Sequence, residues 1–168
     1  MRALAALLVA TATLASAGCG YSLRGNLPEH IKTVAVPVFQ NRTAVPAVET
    51  FLTNAVVNAF STNGRLRVTS VSQADSILEG EITNYYLQSI AYDSAANIRQ
   101  FRLTVTLNLR FRDVRKNEML FQRTNYADRA DFAVPGTVAE TITASEGALQ
   151  QAATEIARSV VSFAVERF

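Results

Sequence analysis

Reactive side chains are scarce in this sequence, and its one thiol stands in a distinctive place. Cys19 is the sole cysteine, and it directly follows the small residues 16–18. Ahead of them come one positive charge, Arg2, and an apolar run over residues 3–14 that is too short to span a bilayer. A charged start, a short apolar stretch and small residues before a cut are typical of a secretory signal peptide, so we expect residues 1–18 to be removed.

The residues around Cys19 resemble the lipobox of bacterial lipoproteins, in which the thiol is acylated with diacylglycerol and the chain is cut just before it. The pattern prefers Leu three residues before the cysteine, where this sequence has Ser16, with Leu14 two residues earlier. The alternative is an ordinary secreted protein cut after residues 15–17, but its lone thiol would lack a disulfide partner in an oxidising compartment. The resemblance implies that Cys19 carries lipid that holds the chain on a membrane. Because Gly20 rather than Asp follows, it implies the outer membrane.

The sequence has few residues that could act in catalysis. His30 is the sole histidine, and its place beside Pro28 before the first predicted strand makes it a solvated loop residue by expectation. The sequence shows no metal-ligand cluster, nucleophile elbow or glycine-rich phosphate loop, so we predict no enzyme, no metal and no cofactor. A periplasmic hydrolase, with Ser and Asp side chains converging on His30, stays open as an alternative.

The basic residues are mostly arginine. Of 16 basic residues, only Lys32 and Lys116 are lysine, and the formal net charge is +2. The planar guanidinium suits phosphate and carboxylate groups, although GC-rich codon usage would give the same bias. No long basic run exists, so nucleic acid is not an expected partner.

The hydrophobic pattern of the first half predicts a βαβ unit. Apolar and β-branched residues predict a strand over residues 33–39, with Pro37 at an edge or bulge. A turn over 40–43 precedes a helix over 46–63, and a short alternating strand follows over 65–70. Strand, helix and strand in this order indicate a right-handed crossover.

Three longer strands, over 77–92, 101–111 and 119–131, precede a helix over 137–167. The middle strand alternates strictly, with one face apolar and the other made of Arg102, Thr104, Thr106, Asn108 and Arg110. In the strand before it, the same reasoning places Leu78, Gly80, Ile82, Tyr86, Ile90 and Tyr92 on one face, with Gly80 marking a bulge or a close approach.

The predicted fold class is therefore α+β: a two-layer sandwich with two helices packed on one face of a four- to five-stranded, mostly antiparallel sheet, and an N-terminal βαβ unit. Residues 19–32 are expected to form the lipidated tether, and residues 33–168 a single domain.

The order of motifs along this chain is similar to that of the LptE family of lipopolysaccharide-assembly lipoproteins. The motifs, in order, are Cys19-Gly20-Tyr21-Ser22-Leu23-Arg24-Gly25, then Val34-Ala35-Val36-Pro37-Val38-Phe39-Gln40-Asn41-Arg42-Thr43, then Asn63-Gly64-Arg65-Leu66, Ala74-Asp75, and Tyr92-Asp93 before Phe101-Arg102-Leu103. The resemblance implies a lipid-anchored plug inside the β-barrel of the outer-membrane lipopolysaccharide translocon. It implies a barrel protein and lipopolysaccharide as partners, and a place at the cell outer membrane, facing the periplasm or inside the barrel lumen.

Basic residues near one end of the sheet contact lipopolysaccharide in this family, and the candidates here are Arg99, Arg102 and Arg129. Ordinary solvated positions are the alternative for all three. The polar strand face is a candidate surface against the barrel wall, since barrel interiors are polar. Tyr85 and Leu87 are the apolar candidates on the opposite parity of the preceding strand.

A rival class of lipoprotein stays open. The strand and turn over residues 34–43 also resemble the opening of periplasmic domains that activate cell-wall synthases or form secretion channels. That reading predicts a peptidoglycan synthase as the partner in place of a barrel protein.

Overall fold

The structure, a computed structural model, describes residues 27–94, 98–133 and 138–166, and in the last range the side chains of 150–165. The predicted signal peptide, Cys19 and most of the tether lie outside the described residues, as do the middle of the turn after residue 92 and the break before the last helix. The described elements are strands β1 (Thr33–Ala35), β2 (Gln40–Asn41), β3 (Arg67–Val68), β4 (Ser76–Tyr92), β5 (Ile98–Asp113) and β6 (Glu118–Ala133), helices α1 (Val48–Asn63) and α2 (Val138–Glu166), and a 3-10 turn at Val71–Gln73.

The predicted first strand is shorter than the sequence suggested. It ends at Ala35, and the chain rejoins the sheet at Gln40–Asn41, where a turn was expected. β1 and β2 both pair with the same edge of β4, so they are one interrupted strand. Pro37 lies in the interruption, where the chain makes no ladder hydrogen bonds, so its lack of an N–H has no cost there.

Helix α1 begins later than predicted, at Val48, because Ala47 adopts a left-handed conformation with φ 64°. Its apolar stripe is confirmed, since Leu52, Val56 and Phe60 are buried. The helix ends at Gly64, whose φ of 72° permits its N–H to bond the carbonyl of Phe60.

The sheet is mixed, so the prediction of a mostly antiparallel sheet is wrong. Its order is β3-β1-β4-β5-β6, with β2 pairing β4 beside that path, which makes six strands against the four to five expected. The three pairings of the N-terminal strands are parallel, because a crossover through α1 returns the chain in its original direction. β4, β5 and β6 pair antiparallel through turns.

One hydrophobic core joins the helices to the sheet. The apolar residues predicted for β5 are confirmed, with Leu103, Val105, Leu107 and Leu109 fully or almost fully buried. They form one cluster with residues of both helices, which include Ala152, Ile156 and Val160 of the described part of α2. The α+β class with two helices against the sheet is therefore confirmed. Within the described residues, neither helix is long and apolar enough to cross a bilayer.

Candidate functional site: the polar face of the sheet

The side of the sheet away from the core carries the polar residues of β5. Because the leucines and Val105 of this strand point into the core, strand alternation puts the residues between them on the opposite side. Strand pairing adds residues from β4 and β6 to the same side. We call this surface the outer face; it consists of Glu79, Glu81, Tyr86, Arg102, Thr104, Thr106, Asn108, Arg110, Arg129 and Asp131.

Arg102 lies on the outer face in a bidentate pair with Asp131. Nε and Nη2 of the guanidinium each donate to a different carboxylate oxygen at 2.7 Å. The pair raises the pKa of Arg102 and lowers the pKa of Asp131, in both cases chiefly through the hydrogen bond between them. Arg102 is therefore already paired, and an incoming anion would have to compete with Asp131 for its guanidinium.

Arg129 is the neighbouring cation, opposite Thr104, and it is exposed. Its backbone amide donates to the Asp128 carboxylate, 2.9 Å away. Among the residues that the structure describes, its guanidinium has no ion pair. The structure thus brings Arg102 and Arg129 together on one face and leaves Arg129 available.

Arg99 lies apart from the other two candidates. By alternation along β5 it shares the side of Phe101, whereas Arg102 lies on the other side. Its Nε and Nη2 donate to Oδ2 of Asp93 at 3.0 and 2.7 Å. Two of the three predicted arginines therefore already hold a carboxylate.

A second polar group on the outer face escaped the sequence reasoning. Both oxygens of Glu81 are occupied, one by Arg42 and one by Asn108, each at 2.9 Å. The Arg42 bond, followed by the Asn108 bond, lowers the pKa of the Glu81 carboxyl. Arg110 lies beside them, exposed. Alternation had placed Arg110 on this face, but Arg42 directly follows β2, and no local pattern links it to residue 81.

Large apolar side chains are exposed toward the far end of β4 and β5: Tyr86, Leu87, Tyr92 and Ile98. The prediction that Tyr86 shares a face with Leu78 and Ile82 is wrong, because the pairing of β4 with β5 shifts register between Ile82 and Asn84, and Tyr86 is exposed. That bulge turns Tyr85 toward the core instead, where it is half-buried. Leu87 pairs with Leu103 on that same side, so neither Tyr85 nor Leu87 lies on the outer face as the sequence suggested, although Leu87 is 43% exposed.

His30 is not the solvated residue that the sequence suggested. Its Nε2 donates to Oδ2 of Asp113, 2.5 Å away, and the Asp113 side chain is completely buried. Burial alone raises the pKa of Asp113, but hydrogen bonds from the amides of Lys116 and Arg115 and from His30 outweigh it, so the pKa is lowered.

A second buried carboxylate lies at the same end of the sheet. Asp75 accepts from the Thr33 hydroxyl at 2.8 Å, from the amides of Lys32 and Thr33 at 3.1 Å, and from Arg115 at 2.5 Å. The Thr33 hydroxyl is the largest cause that lowers the pKa of Asp75 to about 2. These bonds join the start of β1 to the start of β4 and to the β5–β6 turn.

This cluster has no hydrolase geometry. Ser76 is the buried serine beside it, and its hydroxyl donates to the backbone carbonyl of Thr33 at 2.8 Å rather than to a histidine. Throughout the described ranges, no group of acidic, histidine and cysteine side chains is arranged to hold a metal ion. The hydrogen bonds of this cluster connect the strands, and none of its described side chains is placed to act as a nucleophile.

Known structures share this fold at low sequence identity. The hypothetical protein CT253 of Chlamydia trachomatis aligns with a TM-score of 0.55 and 10% identity, over 80% of this chain and 95% of its own. Protein XCC0632 of Xanthomonas campestris aligns with a TM-score of 0.52 and 16% identity, over 86% of this chain and 91% of its own. A minor lipoprotein of Acinetobacter baumannii aligns with a TM-score of 0.50 and 12% identity, over 80% of this chain and 92% of its own. These likenesses support the fold alone, and no curated protein matches the chain by sequence.

The family comparison goes further than the fold. The model of the family described as LptE, lipopolysaccharide-assembly, matches residues 31–163, which is most of the chain and all of the elements described above except the last residues of α2. That family consists of assembly lipoproteins rather than enzymes. The chain belongs to the LptE family, and is thus an outer-membrane lipoprotein of the lipopolysaccharide-assembly type.

Proposed function

We propose that this protein is the lipid-anchored plug and assembly partner of the β-barrel in the lipopolysaccharide translocon, and that it binds lipopolysaccharide through Arg102 and Arg129 of the outer face together with Arg99, which lies near the same end of β5 on the other side of the sheet. The observation that carries the proposal is the polar face of three long strands, which neither helix covers in the described part of the chain, in a protein that belongs to the LptE family. A sheet with one side uncovered needs a partner or water on that side, and the wall of a barrel lumen is polar.

The dimensions of the sheet suit a barrel. β4 has 17 residues, which at a strand rise of about 3.3 Å span about 55 Å. A bilayer with its headgroups is about 40–45 Å thick. A plug of this length reaches from one side of the membrane to the other.

The tether and the arginines lie at opposite ends of that length. The His30–Asp113 bond fixes the chain leaving the tether at the β5–β6 turn. Arg102 lies eleven residues back along β5, about 35 Å from Asp113. With Cys19 acylated in the periplasmic leaflet and residues 33–168 forming one domain, the arginines point away from the periplasm, toward the cell surface.

Lipopolysaccharide presents phosphates and carboxylates, and guanidinium groups bind both by paired hydrogen bonds. Arg129 offers such a group at once. Arg102 offers one after exchange from Asp131, and Arg99 after exchange from Asp93. The exchange replaces one carboxylate by another anion at the guanidinium, and the displaced Asp131 and Asp93 carboxylates are partly exposed, so water can solvate them.

The first experiment is an affinity pull-down of the tagged, full-length lipoprotein from solubilised outer membranes, with partners identified by mass spectrometry. We expect a large barrel protein in stoichiometric amount. Recovery of a peptidoglycan synthase instead would overturn the proposal in favour of the rival class of lipoprotein.

The ligand is tested separately, with lipopolysaccharide and a variant that changes Arg99, Arg102 and Arg129 to Ala. We expect binding to fall at least about tenfold, the loss for one or two charged contacts. Binding equal to that of the parent would contradict the assignment of the arginines.

The matched control changes Lys32, Lys116 and Arg158 to Ala. These exposed residues lie before β1, in the β5–β6 turn and on α2, outside the outer face, and their loss removes the same three positive charges. We expect this control to bind lipopolysaccharide like the parent, which separates local contact from net charge.

A further inference from the structure

A polar cavity opens on the outer face where β1 and β2 are interrupted. β1 leaves β4 after the pair Ala35–Ile77, and β2 joins β4 at the pair Gln40–Glu81. Between those pairs the chain bows away from the sheet, and the space has a volume of about 280 Å³. Its lining residues are Pro37, Val38, Gln40, Glu79, Gly80, Glu81, Asn108 and Arg110.

Hydrogen bonds hold one wall of this cavity rigid. Glu81 is fixed by Arg42 and Asn108, and the Oδ1 of Asn108 accepts from the backbone amide of Asn125 at 2.9 Å. Nη2 of Arg42 also reaches Oε1 of Gln40 at 3.4 Å, which leaves the Gln40 amide nitrogen as a donor. A wall that is fixed before a ligand arrives loses less conformational entropy on binding.

The neighbouring pair of the same two strands, Glu79 and Arg110, keeps unused binding capacity. Glu79 and Arg110 face each other across β4 and β5, yet the nearest cation to the Glu79 carboxylate is Arg112, at 3.8 Å. In the described part of the chain, the Arg110 guanidinium has no ion pair or hydrogen bond. The cavity therefore presents side by side the guanidinium donors of Arg110, which attract Glu81 electrostatically but make no hydrogen bond to it, and the loosely held carboxylate of Glu79.

We propose that this cavity binds one sugar ring. Each hydroxyl of a sugar both donates and accepts a hydrogen bond, so a ring needs donors and acceptors together, which Arg110, Gln40 and Glu79 supply. The two glutamates make the cavity unsuited to a simple anion. Val38, 68% exposed at the rim beside Pro37, offers an apolar edge to the C–H side of the ring.

The volume fits a single ring better than a chain of sugars, since pockets for larger ligands begin at about 300 Å³. The ring could belong to a free sugar or to the headgroup of a glycolipid, because the contacts are the same. The inference goes beyond the proposed function and does not rest on it, since the cavity lies between the arginine cluster and the tether end of β4 and β5.

The test is saturation-transfer difference NMR on the full-length lipoprotein in a detergent without a sugar headgroup. The probes are glucose, mannose and N-acetylglucosamine. We expect at least one of them to bind with a dissociation constant of about 1 mM. Arg110→Gln and Glu79→Gln should each weaken that binding about tenfold, as expected for loss of a charged hydrogen-bonding partner.

Arg158→Gln is the matched control and should leave sugar binding unchanged, because Arg158 is exposed on α2 and lies outside the cavity. Thermal melting should be unaltered by Arg110→Gln, since this exposed side chain makes no bond within the described chain. Absence of saturation transfer to all three sugars, or unchanged binding in Arg110→Gln, would overturn the proposal. Displacement of the sugar by lipopolysaccharide would identify a glycolipid as the source of the ring, and lack of displacement a free sugar.

Discussion

Arg102 and Asp131 face each other because the pairing of β5 with β6 shifts register twice. The pair nearest the turn is Asp113–Glu118, and a ladder counted from it without interruption would put Arg129 opposite Arg102. Shifts between Phe111 and Arg112 and between Leu107 and Leu109 each move β6 by one residue. The bulges therefore replace a repulsive pair of arginines by an ion pair and place Arg129 on the same face, two residues away along β6.

Asp131→Asn should strengthen the binding of lipopolysaccharide if Arg102 is one of its contacts. The substitution removes the carboxylate that holds the guanidinium, so an incoming anion no longer competes for it. We expect affinity to rise by about threefold to tenfold, measured by titration of the full-length protein in detergent. Asp128→Asn removes the same charge without touching Arg102, and an equal rise in both variants would mean that net charge alone is responsible.

The sequence predicted the elements whose signals are local. β5 alternates without a bulge of its own from Phe101 to Phe111, and all its apolar positions face the core as expected. β4 breaks its own period between Ile82 and Asn84, so Tyr86 lies on the opposite face from Leu78 and Ile82, with which the alternation had grouped it. A bulge is decided by the partner strand and the core, so the period of one strand cannot reveal it.

The candidate site depended on the same long-range information. Arginine content and strand alternation were enough to select Arg102 and place Arg110 on the polar face. The partner of Arg102 lies 29 residues away and the partner of Arg42 lies 39 residues away. These partners depend on strand register and on the path of the chain around Pro37, and no local sequence motif predicts either.

Gly80→Ala should destabilise the protein, because the Phe39 ring packs directly on the residue. A Cβ at position 80 would lie 2.6 Å from carbons of that ring, and the ring is buried, so it has little room to move. We expect the free energy of unfolding to fall by about 1–3 kcal/mol, as for overpacked cores. Chemical denaturation measures this.

Phe39→Leu in the Gly80→Ala background provides the internal check. A smaller side chain makes room for the new methyl group, so the double variant should lose less than the sum of the two single losses. If the loss of unfolding free energy in the double variant equals the sum of the two single losses, the Phe39 ring does not clash with the new methyl group.

Asp75 should make the protein lose stability in acid. Its pKa is 3.8 in the unfolded chain and about 2 in the folded one, so the folded state favours the charged carboxylate. That stabilisation is complete above the unfolded value and is lost as the pH falls from about 4 through 2, and it amounts to about 2 kcal/mol. Denaturation from pH 7 to pH 2 should therefore show Asp75→Asn less stable than the parent at neutral pH.

The difference between the two proteins should vanish near pH 2. Asp113, whose pKa is also lowered, titrates in both proteins and cancels from the comparison. A constant difference across the whole range would show that the Asn variant loses packing or hydrogen bonds rather than the charge.

His30→Ala should weaken the start of the domain while leaving the proposed function intact. Asp113 keeps the amides of Arg115 and Lys116 but loses one hydrogen bond in a fully buried position, which costs about 1–3 kcal/mol. Urea denaturation should show this loss. Hydrogen exchange should show faster opening of the Ile31 amide, which bonds the carbonyl of Pro28 just before β1.

The same variant separates a structural histidine from a catalytic one. Because the serine beside this cluster donates to backbone, we expect His30→Ala to recover the barrel protein in the pull-down as well as the parent does. Folded protein that still recovers the barrel yet fails to support lipopolysaccharide assembly in cells would point to chemistry at His30. A fall in recovery that tracks the loss of stability, and is reversed by lowering the temperature, would instead confirm that the residue acts by joining the tether end to the β5–β6 turn.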